Sequence, residues 1–331
     1  MSDIMTCMPF GQLMEWVLQE KSGKDTVFGV HRPYTVNADH NLTIFERTLE
    51  TPVGPAAGPH TQLAQNIIAS YYAGARFFEL KTVQKMDGAE LSACVNKPCI
   101  LADDEGYNCE WSTELTVPDA MSEYIKAWFI LHVMAKEFDL GAQDGFQFNI
   151  SVGYDLEGIK GDKVNTFIDG MMEAKDTAVF QECKKWLLDN ADRFHNFTRE
   201  DIEAIPSNVC NSATISTLHG CPPQEIESIA NYLLTEKHLN TFVKCNPTLL
   251  GYDFARKTMD EMGYDYMVFG DFHFRDDLQY EDAVPMLTRL MKLSEELGLE
   301  FGVKITNTFP VDVTRNELPS EEMYMSGKSL F

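Results

Sequence analysis

The chain has 331 residues, 27 Lys+Arg against 51 Asp+Glu for a formal net charge of −24, and 44% hydrophobic residues. That length suits one large α/β domain or two smaller ones, and the apolar content is enough for a real core. The acidic balance argues against nucleic-acid and anionic-membrane partners while leaving room for a small anionic ligand in a locally basic pocket.

Along the chain, residues 1–50 read as an amino-terminal extension. Within it Phe10, Leu13, Met14, Val17 and Leu18 fall on one face of a helix over 10–19. From residue 51 a strand–helix rhythm begins. A short strand over 53–57 runs into small residues, a helix spans 66–74, and a strand covers 75–83. Residues 86–117, rich in Gly, Pro, Asp and Asn, read as a hairpin excursion. A strong helix follows over 120–138, then a strand over 146–152 and helices over 164–173 and 177–188. The apolar, β-branched run Ala213 to Leu218 is a strand that ends in the turn Gly220-Cys221-Pro222-Pro223 and enters a helix marked by Ile226, Ile229, Ala230, Leu233 and Leu234. Strands over 241–247, 266–270 and 300–308 alternate with helices over 254–262 and 283–297, and the tail from 309 shows no periodicity.

Alternating strands and helices imply parallel β-α units. Neither a dinucleotide Gly-x-Gly-x-x-Gly nor a phosphate loop with Gly-Lys-Ser/Thr is present. A TIM (β/α)8-type barrel over 51–331 therefore fits better than a Rossmann sheet. About seven strand candidates are found where eight are needed, so the barrel is expected to be incomplete, its last strands missing, and the chain to be part of a longer polypeptide. No run of ~20 apolar residues and no signal peptide is seen. The 8 cysteines include no Cys-x-x-Cys pair, which points to reduced thiols and a cytoplasmic location. Cys94, Cys99 and Cys109 cluster in sequence, but their spacing matches no familiar zinc or iron–sulfur pattern, so no metal site is expected.

Four strand ends carry the candidate chemistry. Gly54 to Gly58 places small residues where a planar ring can lie against the backbone; the same composition makes an ordinary turn. Lys81-Thr82 sets an ammonium beside a hydroxyl. Lys244 lies in an otherwise apolar strand and needs a ligand or a carboxylate, because an unpaired buried ammonium is costly. Thr306-Asn307-Thr308 offers amide and hydroxyl groups suited to a planar, amide-like substrate, or to strand-end turn chemistry. Cys221 ends its strand just before a helix, where the helix dipole favours a thiolate. His219 nearby leaves a Cys-His pairing open. The acidic and aromatic run 264–277, including Asp265, Asp271, His273, Asp276 and Asp277, reads as a solvated loop, and His132 as a packing or surface residue.

Taken in order, these strand ends resemble the flavin-binding barrel of dihydroorotate and dihydropyrimidine dehydrogenases. Lys81-Thr82 is similar to the Lys-Thr of the second strand, His219-Gly220-Cys221-Pro222 to the Ser-Cys-Pro loop, Lys244 to the flavin-contacting lysine, and Thr306-Asn307-Thr308 to the Thr-Asn-Thr that holds the pyrimidine. Over nearly the whole chain, the segments Lys97 to Asn108 and Ser151 to Gly158 resemble the amino-terminal part of the family labelled selenate reductase subunits. The resemblance implies a flavin-dependent oxidoreductase barrel using FMN. Cys221 is then the catalytic proton donor or acceptor, Ala56, Ala57, Gly58, Lys81, Thr82 and Lys244 contact the flavin, and Asn149, Asn307 and Thr308 face the substrate. Asp155 competes with Asn149 for the place of a family asparagine. FAD, NAD(P) and 4Fe-4S clusters are implied only beyond this stretch, and the implied partners are a small-molecule substrate and other redox domains or subunits. Leu218 and His219 stand where the dehydrogenases have an asparagine. The alternative is a non-catalytic docking barrel whose flavin site has been lost.

Overall fold

A computed structural model describes residues 5–95, 100–101, 108–109, 115–217 and 219–325. The sequence segment 96–99, most of 102–114, Leu218 and the stretch 326–331 lie outside the described residues, and with them most of the Lys97 to Asn108 motif.

In chain order the elements are α1 (Phe10–Lys24), β1 (Leu42–Ile44), β2 (Arg47–Leu49), α2 (Ala64–Ala73), β3 (Phe77–Glu79), α3 (Gly88–Cys94), β4 (Ile100–Leu101), β5 (Asn108–Cys109) and α4 (Val117–Glu137). They continue with β6 (Gln147–Val152), α5 (Leu156–Lys160), α6 (Asp162–Met172), α7 (Ala178–Asp189), α8 (Arg199–Ala204), β7 (Cys210–Ile215) and α9 (Pro223–Thr235). The last are β8 (Asn240–Cys245), α10 (Tyr252–Glu261), α11 (Phe272–Asp276), α12 (Tyr280–Leu297), β9 (Phe301–Ile305), β10 (Phe309–Asp312) and β11 (Glu322–Met325). The long periodic helices form where their apolar spacing places them. Thr116 opens α4 by accepting the Asp119 amide, which satisfies one of the free N–H groups of the first turn. Nearly every residue of α4 from Tyr124 to Ala135 is buried, because the sheet lies on one side and α2, α6 and α7 pack on the others.

Five strands form one parallel sheet in the order β3-β6-β7-β8-β9. Spatial order follows chain order without reversal, as in a barrel; a doubly wound sheet reverses at a switch point. The sheet also curls. β3 and β9 are its two edges, and laid flat they would stand about 19 Å apart at ~4.8 Å per strand. Yet Lys304 of β9 reaches Glu79 of β3 in a direct ion pair, so the two edges turn toward each other. Phe78, Phe148, Ile150 and Ala213 point outward into the helical core, while Glu79, Asn149, Thr214, Lys244 and Lys304 line the concave side. The β1–β2 hairpin lies at the opposite end from the carboxyl termini of the strands. Its Phe45 ring meets Phe77 and Phe242 at 6.4 and 4.9 Å, and the Asn211 side chain donates to the Phe45 carbonyl.

Three expected strands differ from the structure. Residues 53–57 run beside β3 without joining the ladder: the Arg76 and Phe77 amides donate to Val53 and the Glu79 amide to Pro55. Pro52 and Pro55 have no N–H to give back. Gly54 is required here, since a Cβ would sit 1.5 Å from the Phe77 carbonyl oxygen. The strand expected over 213–218 begins three residues earlier and ends at Ile215. Residues 266–270 form no strand; Phe269 packs instead in a second small core with Phe274, Phe309 and Met323. The aperiodic tail yields β10 and β11, which join β5 and β4 of the excursion in an antiparallel sheet.

Candidate functional site at the carboxyl ends of the strands

The concave side is unusually ionic for a packed interior. Lys244 and Lys304 are register partners on adjacent parallel strands, so two ammonium groups leave the sheet side by side. Glu79 answers them. It is buried, pairs with Lys304 and accepts the Ala57 amide at 2.8 Å. Burial pushes its carboxyl upward, but Lys304, the Ala57 amide and Lys244 together outweigh that and hold it below the usual carboxylate range.

Lys244 donates to Ser216 Oγ at 3.1 Å, and its charge helps lower the Glu79 carboxyl. Thr82 and Ser151 share a hydroxyl hydrogen bond at 2.7 Å, and the Lys81 carbonyl accepts from Tyr124. Asn149 is fully buried, donates to Thr214 Oγ1 at 2.7 Å, and has an Oδ1 without a hydrogen-bond partner among the described residues, as does Glu79 Oε1. Thr306 donates to the Cys245 carbonyl, and Asn307 Nδ2 donates to Asn246 Oδ1 at 2.9 Å. Asn307 Oδ1 accepts from the Thr308 amide and hydroxyl. The Gly58 amide donates to Thr61 Oγ1, and His60 hydrogen-bonds the Ala56 backbone.

The turn after β7 gathers a second network. Asp277, in the run expected to be a solvated loop, is buried. Its Oδ2 accepts from His219 Nδ1 at 2.6 Å, Thr248 Oγ1 at 2.6 Å and Asn246 Nδ2 at 3.2 Å, and its Oδ1 from the Gly220 amide at 2.5 Å. Burial raises its carboxyl; the bond and charge of His219, then Thr248 and Gly220, bring it below the ordinary value. Asn246 thereby links Asp277 to Asn307, and the ends of β7, β8 and β9 form one hydrogen-bonded rim. Sequence reasoning missed Glu79, Lys304, Ser216, Asn246 and Asp277 as site residues. Lys304 carried a readable signal, the same lone lysine in an apolar strand that marked Lys244.

Cys221 is half-buried in this turn. Its thiol does not behave as the thiolate expected of a helix start. Burial pushes it up to about 11, with Glu225, Asp277 and Asp155 adding to the rise and a Thr217 hydrogen bond opposing it. Burial is the main reason the helix start does not yield a thiolate here. His132, by contrast, is a packing residue: it is buried against Trp128 and Phe146, and burial lowers it to about 3. Among the described residues no group of His, Cys, Asp and Glu side chains could hold a metal ion, and Cys99 lies outside them. No described helix is long and apolar enough to cross a membrane.

The family model described as "Oxidoreductase YgfK, N-terminal TIM-barrel domain" matches residues 28–331. The chain belongs to this family. YgfK proteins of Escherichia coli strain K12 and of strain O157:H7, both named as oxidoreductases, are each 46% identical to it over 345 aligned residues. The alignment covers 100% of this chain and 33% of theirs, so the chain spans about a third of the length of these relatives. Two crystal structures of DHODH from Eimeria tenella, one with ferulenol and one ligand-free, align at 12% identity with TM-scores of 0.40 and 0.41. They cover 91% and 89% of this chain, and 81% of each DHODH chain is covered in return.

Proposed function

We propose that this domain is the FMN-binding barrel of a longer flavin-dependent oxidoreductase, of the kind labelled selenate reductase subunits. It would move a hydride between flavin and a small unsaturated or amide-bearing substrate. The observation that carries the reading is the pair of in-register lysines, Lys244 and Lys304, beside the buried Glu79 carboxylate on the concave side of the curled sheet. Such a site stabilises negative charge on a reduced ring or a substrate oxygen. The residues suit the group: Asn149 Oδ1 and Glu79 Oε1 are buried acceptors awaiting donors among the described residues, as ring N–H groups would supply. Lys244, Lys81 and Thr82 would hold the ring from the strand ends, with Ala56, Ala57 and Gly58 along its edge. FMN, when bound, supplies the two-electron chemistry. Asn307 and Thr308 orient the substrate, and the Cys221 thiol, protonated at neutral pH, gives up a proton. FAD, NAD(P) and 4Fe-4S clusters belong to the rest of the longer protein in this reading, as do its redox partners.

The test is flavin release from the full-length protein. Denaturation should liberate stoichiometric FMN, and Lys244→Ala should weaken its retention or shift the bound flavin spectrum. One observation favours the docking-barrel alternative: the Ala57 and Gly58 amides are already taken by Glu79 and Thr61. A full-length protein carrying FAD but no FMN would establish that alternative.

A further inference from the structure

A hollow of about 430 Å³ lies at the opposite end of the sheet from the carboxyl termini of its strands, a size within the range of about 300–1,000 Å³ usual for small-ligand pockets. The β1–β2 hairpin, α4 and the turns leading into β6 and β7 enclose it. Arg47 of the hairpin is half-buried in its wall, with its guanidinium over the Trp128 ring at 5.7 Å. Nη2 of Arg47 donates to Asn208 Oδ1 at 2.8 Å and to the Asn208 carbonyl at 3.5 Å, both neutral acceptors. Among the described residues Arg47 forms no ion pair. Glu50, the buried carboxylate of the same wall, is held instead by Arg76 Nε at 2.7 Å and the Ala142 amide at 2.6 Å. Burial lowers Arg47 from its ordinary value, and Cys210 and Asp144 offset that only in part. His132 lines the hollow as well and is 2% exposed. Its ring packs against Trp128 and Phe146, yet its Nε2 is buried without a hydrogen-bond partner among the described residues, an unfavourable state for a polar atom. The rim is of another character: Asn41, Glu46, Thr48 and Asp144 are exposed there.

We propose that this hollow binds a small monocarboxylate, its carboxylate seated on the Arg47 guanidinium and the Nε2–H of neutral His132. A guanidinium presents paired N–H groups that match the two oxygens of a carboxylate. The Asn208 contacts use Nη2 alone, so the other N–H groups of Arg47 are the ones a ligand takes. An imidazole with its proton on Nε2 donates one further hydrogen bond and adds no charge. The indole of Trp128 and the side chain of Val36 supply apolar wall for the rest of the molecule. Glu46 and Asp144 at the rim repel a second negative charge, which selects against phosphates and dicarboxylates and favours a carboxylate that also carries an ammonium group. The site is at the other end of the strands from the proposed flavin mouth and stands whether or not the mouth holds FMN.

Nitrogen-15 tryptophan NMR of this chain tests the idea, because Trp128 Nε1 donates to the Pro206 carbonyl at 2.9 Å and both residues line the hollow. The probes are acetate, benzoate and leucine, with benzamide and inorganic phosphate as controls. At least one of the three carboxylates should shift the Trp128 indole signal saturably, and neither control should. Arg47→Gln should weaken that binding by about tenfold or more, as expected for loss of a hydrogen bond to a charged group. Should that variant fail to fold, the exposed change Asp144→Asn serves with the opposite sign: it should tighten carboxylate binding and admit phosphate. A Trp128 signal indifferent to all three carboxylates, a control that moves it as readily as they do, or an affinity that ignores both substitutions would overturn the proposal.

Discussion

Cys221 and His132 show burial as the leading influence on a protonation state. With its thiol held near 11, Cys221 is a donor at neutral pH rather than a nucleophile. Cys221→Ala in the full-length enzyme should lower turnover by about 10²–10⁴-fold if the thiol supplies the proton, with flavin absorbance unchanged. Cys221→Ser should keep some activity. Unaltered turnover in Cys221→Ala would remove the thiol from the mechanism and favour the docking-barrel alternative. His132 makes the opposite case, a base kept neutral by the core. Its folded value near 3 lies below its ordinary 6.5, so below pH 6.5 the unfolded chain binds the extra proton. Stability should then fall as pH drops from 6.5 toward 3, by up to ~1.4 kcal/mol per pH unit from this group. His132→Phe should flatten that slope in urea melts at pH 7, 5 and 4. Lys244, Cys221 and Asn307 stood out in sequence as candidates because each breaks the pattern around it. Asp277 was not, since its meaning arises only when the fold returns it to His219, 58 residues earlier.

At the scale of elements, sequence periodicity located what repeats and missed what does not. The helix read over 120–138 forms as Val117–Glu137, and the one over 283–297 as Tyr280–Leu297. Both run for several turns, so their apolar stripes are unambiguous. The strands of the small sheet are two to four residues long, and Tyr324 pairs with Cys109 across more than half the chain; no local pattern encodes that partnership. The Glu79–Lys304 contact between edge strands has the same character. Removing one partner of a buried pair leaves an uncompensated charge, so Glu79→Gln should cost about 3–5 kcal/mol, and Glu79→Gln with Lys304→Met markedly less. Because the folded carboxyl of Glu79 is depressed, its contribution is present above its unfolded value and lost as pH falls through the folded one. Equal destabilisation in the single and double variants, by chemical denaturation at pH 7, would show that the pair does not act as a unit.

For the whole molecule, the order β3-β6-β7-β8-β9 decides what each face can do. Because Lys304 points inward, Val303 and Ile305 point outward, and they are 43% and 80% exposed. β9 is an edge strand of its sheet, so among the described residues one side of its backbone has no ladder partner there. An apolar strand with an open side is a template for the same strand of another copy. In the test tube the chain should therefore behave as a concentration-dependent associator, with light scattering rising in the millimolar range sooner than its charge of −24 would lead one to expect. Ile305→Lys should suppress this without altering the far-ultraviolet dichroism spectrum. A solution engineer choosing where to quiet the protein would thus begin at a single isoleucine, and leave its neighbour Lys304 untouched for the site it serves.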